Sequence, residues 1–222
     1  MNKYLMELIG TFFLVFTIGC VVLDPGAGPL APLAIGAVLT AMIFAGGHIS
    51  GAHYNPAVTL AVCLRGKCAP GDVVPYWISQ LAGGSLAAAA VKYLKNSPSV
   101  TAATPEVAHA LLAELLFTFA LAFVVLNVAT AKGTSGNSFY GLAIGFTVVA
   151  GAYAVGPISG GAFNPAVAVA ITIMGLSSLS NIWIFLVANL AGGALAAVVF
   201  KALNQEPETP ETMPEMESHE KA

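Results

Sequence analysis

Two asparagines are the residues whose chemistry and spacing stand out. Asn55 and Asn164 open the tripeptides Asn55-Pro56-Ala57 and Asn164-Pro165-Ala166, 109 positions apart. A primary amide offers two N–H donors and one carbonyl acceptor. Asparagine is also a favoured helix N-cap, and proline suits the first helical position, where its missing N–H costs nothing. Each tripeptide therefore predicts a helix start carrying an amide donor and about half a positive charge. That is chemistry for holding and orienting a neutral oxygen, not for breaking a bond. The catalytic rival would take Ser50 or Ser159 as nucleophile and His48 or His53 as base. Against it, the Ile-Ser-Gly sequences occur at both sites while neither histidine does. Small residues there suit tight backbone turns.

The tripeptides sit inside a longer duplication. GHISGAHYNPAVTLAV from Gly47 and GPISGGAFNPAVAVAI from Gly156 share nine of sixteen residues. At the same offset, QLAGGSLAAAAVKYLK from Gln80 and NLAGGALAAVVFKALN from Asn189 again share nine of sixteen. A weaker pair, ELIGTFF from Glu7 and ELLFTFA from Glu114, opens the two halves at an offset of 107. One unit is written twice, about 3–95 and about 107–204, and this repetition governs the expected fold.

The elements that must position the asparagines are membrane-spanning. The chain is 57% hydrophobic and 9% charged, with a mean hydropathy of +0.83, far from the roughly 25% charged of soluble domains. Six apolar stretches are long enough to cross a bilayer: Tyr4–Val22, Ala31–Gly47, Val73–Leu94, Val107–Val128, Phe139–Val155 and Asn181–Leu203. Two more, from Pro56 to about Arg65 and from Pro165 to about Gly175, are too short. Ten helical residues rise about 15 Å, half of a roughly 30 Å hydrocarbon core. With an odd number of spans per half, the second copy is inverted, so the short helices would meet tip to tip. The stretches before them, Ile49–Gly51 and Ile158–Gly160, are expected to be non-helical. Non-helical backbone at that depth is tolerated only in a protein interior or along a wet cavity. Carbonyls of Gly51, Ala52, His53, Gly160, Gly161 and Ala162 are thus expected to form an acceptor ladder.

With six spans, both ends of the chain lie on one side. Lys3, Arg65, Lys67, Lys132, Lys201 and Lys221 fall there, against Lys92 and Lys95 opposite, which favours cytoplasmic ends in a cell (inner) membrane. The first span carries Glu7 and is not read as a cleavable leader. Residues 206–222 hold six glutamates among prolines and read as an acidic disordered segment beyond a single channel domain of 1–205. Cys20, Cys63 and Cys68 match no metal spacing and read as buried thiols. No cofactor, metal or nucleic-acid partner is expected.

Carried by both Asn-Pro-Ala motifs, the half repeats and the paired glutamates, the chain resembles the aquaporin (major intrinsic protein) family over about residues 3–204. The resemblance implies an all-α membrane protein of six transmembrane helices plus two re-entrant half-helices. It implies a homotetramer in the lipid bilayer with a pore in each subunit, and a passive channel rather than an enzyme. It also implies that Glu7 and Glu114 brace the loops by accepting backbone N–H bonds, as an unpaired charge inside a span costs about 2.5–3.5 kcal/mol or more. His53 is expected to fix its loop. Gly83, Gly84, Gly192, Gly193, Gly141 and Gly145 are expected to allow close helix crossings.

The sequence departs from the family at the outer constriction. Its four positions fall on Ile35, Ala152, Gly161 and Val167, where relatives usually carry an aromatic, a histidine and, right after the downstream motif, an arginine. The expected ring is wide, apolar and without a fixed cation. Water and small uncharged solutes such as glycerol, urea, ammonia or hydrogen peroxide are the expected permeants. An apolar ring that dewets is the opposite possibility. A secondary transporter is the rival class, since inverted repeats and broken helices also serve transporters. The midplane, however, shows no ion-coupling cluster beyond the two glutamates.

Overall fold

The computed structural model describes residues 1–97 and 99–204; the acidic segment read at 206–222, with Lys221, lies outside them. Among the described residues eight α-helices appear, in two sets of four. In the first half they are α1 (Asn2–Val22), α2 (Ala31–Ser50), α3 (Pro56–Leu64) and α4 (Pro70–Leu94). In the second they are α5 (Val107–Thr130), α6 (Tyr140–Ser159), α7 (Pro165–Ile173) and α8 (Ile182–Leu203). α3 and α7 have nine residues each, slightly shorter than the sequence suggests, and the other six are long enough to span.

Two expectations need correction. Ile49, Ser50, Ile158 and Ser159 are helical, because α2 and α6 continue to the serines and break only at Gly51 and Gly160. Those glycines take φ of +84° and +96°, a left-handed stop that glycine adopts without a Cβ penalty. All six expected spans are present as long helices; five are apolar enough to cross by composition alone, and α4 is the most polar of the six. Its polar groups meet tertiary partners, Gln80 through its nitrogen. Gln80 is fully buried, and Asp72, at the first turn, meets Lys3 Nζ at 2.6 Å and the Tyr4 hydroxyl at 2.7 Å. Cys20, Cys63 and Cys68 are free thiols, half-buried rather than buried.

Packing repeats with the sequence. α1 lies along α4 as α5 lies along α8, and α2 crosses α6 between the halves. Each short helix leans on the last helix of the opposite half, α3 on α8 and α7 on α4. Paired glycines make those approaches possible. A Cβ on Gly83 would collide with the Leu8 carbonyl, and one on Gly192 would stand 2.6 Å from the Leu115 carbonyl. The second glycine of each pair faces the other half's motif: Gly193 would put a Cβ 2.5 Å from the Ala57 carbonyl, and Gly84 one 3.2 Å from that of Ala166. Where α2 crosses α6, a Cβ on Gly145 would lie 2.5 Å from the Gly36 carbonyl.

Gly193→Leu is therefore expected to destabilise the protein by at least about 1–3 kcal/mol, the usual cost of overpacking. A fall in the unfolding midpoint of detergent-solubilised protein checks this. The open position Gly133, with nothing within 4 Å of its Cβ direction, should tolerate alanine.

Candidate functional site

The two loops before α3 and α7 are strained, and two carboxylates hold them. Beyond Gly51, Ala52 and Tyr54 take φ of +51° and +49°; beyond Gly160, Gly161 and Phe163 take +65° and +48°. Left-handed backbone costs a non-glycine residue roughly 1–2 kcal/mol, so something must over-determine it. Glu7 Oε1 accepts from the Ser50 hydroxyl (2.7 Å) and His53 N–H (2.9 Å). Its Oε2 accepts from Tyr54 N–H (2.6 Å) and Gln80 Nε2 (2.8 Å). Glu114 repeats the pattern, with Ser159 Oγ (2.7 Å) and Ala162 N–H (2.9 Å) on Oε1 and Phe163 N–H (2.7 Å) on Oε2. Turned so that its nitrogen faces acceptors, the Asn189 amide donates to Glu114 Oε2 at 3.0 Å and accepts from Asn164 N–H at 2.8 Å. Each fully buried carboxylate thus receives four donors, which is what a charge removed from water requires.

The serines serve the same loops. Ser50 Oγ accepts from Ala52 N–H (3.0 Å), and Ser159 Oγ from Gly161 N–H (3.1 Å). Both hydroxyl protons are committed to glutamates, not to a histidine base. His53 Nδ1 lies 3.1 Å from Thr59 Oγ1. Thr59 spends its one proton on the Asn55 carbonyl (3.1 Å) and accepts from Gln80 Nε2 (2.9 Å). Nδ1 of His53 must therefore be the donor, leaving Nε2 as an acceptor.

Held this way, the two motifs interlock. Asn55 Oδ1 caps α3 by accepting from Ala57 N–H, and Asn164 Oδ1 caps α7 through Ala166 N–H, both at 2.9 Å. Asn55 Nδ2 donates across to the Phe163 carbonyl and Asn164 Nδ2 to the Tyr54 carbonyl, again at 2.9 Å. Each amide has then used one N–H and keeps a second. The positive ends of α3 and α7 are brought to one place. Pro56, Pro165, Ala57 and Ala166 are buried behind the asparagines.

A cavity of about 200 Å³ reaches these asparagines from the side of the molecule where α2 begins. All four positions read from sequence as the outer ring, Ile35, Ala152, Gly161 and Val167, line it. So do Ala52, His53, Gly160 and Ala162, while Gly51 lines the cavity on the opposite side. Among the described residues, none of the carbonyls of Gly51, Ala52, His53, Gly160, Gly161 and Ala162 accepts a hydrogen bond. The opposite cavity shares Ile43, Ala52, Val125 and Ile144 with the first, so the two adjoin.

Six spanning helices, two half-helices that meet at their N-termini and adjoining cavities on both sides define a transmembrane channel. The family model for major intrinsic protein matches residues 1–200, and the chain belongs to that family. It is 35% identical over 216 residues to a protein from Lactiplantibacillus plantarum described as glycerol uptake facilitator protein-like 6, covering 93% of this chain and all of that one. It is 33% identical to aquaporin NIP1-4 of Oryza sativa, covering 91% of this chain and 77% of the relative. Among solved structures, the aquaglyceroporin from Plasmodium falciparum superposes with a TM-score of 0.76 at 21% identity, covering 90% of this chain and 94% of that one. Members of the family are passive channels, not enzymes.

Ser50, Ser159, Gln80 and Asn189 are the site residues that sequence reasoning did not assign. Their signal was present, since each pair keeps the offset of 109 shared by the asparagines. The two halves are not equivalent here. Gln80, one methylene longer than Asn189, leaves its Oε1 buried without a partner among the described residues, as is Thr11 Oγ1.

Glu114→Gln should leave two of the four donors facing an NH₂ group, at about 1–3 kcal/mol for each orphaned buried donor. A lowered thermal midpoint in detergent together with reduced water flux in liposomes is the expected outcome. Unchanged values for both would show that the carboxylate does not hold the loop.

Proposed function

We propose that the chain conducts water and small uncharged solutes, glycerol among them, through a lumen whose outer ring is Ile35, Ala152, Gly161 and Val167. The observation that carries this reading is that all four line the cavity leading to Asn55 and Asn164, and none supplies a charge or a polar side chain. Val167 stands three residues after Asn164, in the first turn of α7, where an arginine would close the ring. Without it, a solute wider than water meets hydrocarbon and backbone groups alone.

In this reading the spare N–H groups of Asn55 and Asn164 donate to the oxygen of each passing molecule. The open carbonyls on either side accept its protons, so hydrogen bonds run outward from the centre in both directions. A chain of waters arranged this way has no single direction of donation and does not relay protons. The half-charges at the tips of α3 and α7 repel cations at the same place. With an apolar outer ring, cation exclusion rests on that central arrangement.

The reading extends to placement and assembly. Lys3, Arg65, Lys67, Lys132 and Lys201 on one face outnumber Lys92 and Lys95 on the other, which supports cytoplasmic chain ends in a cell membrane. Exposed Leu5, Ile78, Leu86 and Val198 suit contact with lipid or neighbouring subunits, as a homotetramer with one lumen per subunit requires.

The test is stopped-flow light scattering on purified protein in liposomes. Glycerol-driven reswelling should exceed that of empty vesicles, and Val167→Arg should reduce it about tenfold or more, which needs only about 1.4 kcal/mol of added barrier. Water flux should fall less. Reswelling no faster than in empty vesicles contradicts the reading, and an unchanged glycerol rate in Val167→Arg contradicts the register.

A further inference from the structure

The cavity on the outer side of the asparagines is rich in hydrogen-bond acceptors and nearly bare of donors. Every N–H of the loop from Gly160 to Asn164 already has a partner away from the lumen. Gly160 N–H donates to the Gly156 carbonyl at 2.8 Å, and Gly161 N–H to Ser159 Oγ at 3.1 Å. Those of Ala162 and Phe163 go to Glu114, and Asn164 N–H goes to the Asn189 amide oxygen at 2.8 Å. The loop before α3 repeats this from Gly51 to Tyr54, with partners on Gly47, Ser50 and Glu7. Bracing the loops from behind takes up their donors and leaves their carbonyls open.

Side chains add little. Among the described residues lining this cavity, His53, Tyr54, Asn55 and Asn164 alone have polar side chains. The Tyr54 hydroxyl donates to the Met42 carbonyl at 2.9 Å. His53 keeps only its acceptor nitrogen, since Nδ1 is committed to Thr59. The donors that remain lie where α3 and α7 meet, and there each asparagine holds a second N–H. Leu14, Ile18, Ile35, Leu39, Leu121 and Val148 make the facing wall hydrocarbon.

A solute moving from the outer mouth to the asparagines therefore regains hydrogen bonds only for the donors it carries. Any polar group left unmet out of water raises the barrier. A primary carboxamide matches this order of groups. Its oxygen can accept from both asparagines, its two N–H groups face the loop carbonyls, and its alkyl part rests on the hydrocarbon wall. Moving a methyl group onto its nitrogen removes one donor at unchanged composition.

We infer that the outer lumen selects neutral solutes by the donors they carry, passing primary carboxamides in preference to their N-methylated isomers. This selection presupposes the conducting lumen and outer ring proposed above. A plain apolar hole would rank the same isomers in the opposite order, because each methylation makes the solute easier to strip of water. Charged amines also carry donors, but the positive tips of α3 and α7 turn them back.

The test is reswelling of liposomes holding the purified full chain, driven by glycerol, propionamide, N-methylacetamide or N,N-dimethylformamide, with the rate in empty vesicles subtracted. The last three are isomers with two, one and no N–H donors. The channel-dependent rate should fall about fivefold at each step, the effect of one forgone hydrogen bond on a barrier. Equal rates for the three isomers, the reverse order, or glycerol flux without passage of propionamide would each overturn the inference and leave the conducting lumen standing. Glycerol no faster than in empty vesicles would instead remove the lumen itself, and the selection with it.

Discussion

The structure depends on two buried carboxylates, each saturated by four donors. Glu7 and Glu114 stand at the same place in each half of the chain and reach loops that would not otherwise keep their shape. Left-handed residues in succession, in a region without bulk water, are costly unless their N–H groups are taken up. The glutamates take up two in each loop, and the serines, turned back on the same carboxylates, take up a third. What these bonds produce is the placement of Asn55 and Asn164. Both amides have their oxygen occupied as a cap and one N–H committed across the interface between the halves. The remaining N–H has a fixed direction before any permeant arrives.

Inverted duplication explains why so few residue types suffice. Each half supplies one short helix and the surface on which the other half's short helix rests. The glycine pairs show this division of labour, one member packing against its own half and the other against the opposite motif. The copies agree most in the two stretches that carry the asparagines and the glycine pairs. The halves diverge at His53, whose counterpart is Ala162, and at Gln80, whose counterpart is Asn189. Both differences fall on the first half, so the lumen gains a histidine acceptor on one side only.

Much of this could be read from the residues. The Asn-Pro pairs announced helix starts too short to span, and their inverted setting announced that they meet. The glutamates within apolar spans announced buried partners. Less legible was where α2 and α6 end. Serine and isoleucine before a glycine look like loop, but the serine hydroxyl is fixed by a carboxylate from another helix, a contact no local pattern reveals. The partners of the polar groups on α4 were equally hidden, because Asp72 and the Gln80 nitrogen meet groups on other helices. The shape of the proposed outer ring depends on how α2 and α6 cross at Gly36 and Gly145, a pairing between the halves that no local pattern reveals.

In the proposed conduction path, two asparagine-capped helix tips meet around water rather than around packed side chains. Electron density for ordered water in an experimental structure addresses it most directly. A continuous file should run between the two mouths, with one molecule within about 3 Å of both Asn55 Nδ2 and Asn164 Nδ2 and its neighbours on the carbonyls of the two loops. A lumen closed by side chains at the asparagines, or amide nitrogens turned away from it with no water between them, would contradict the account.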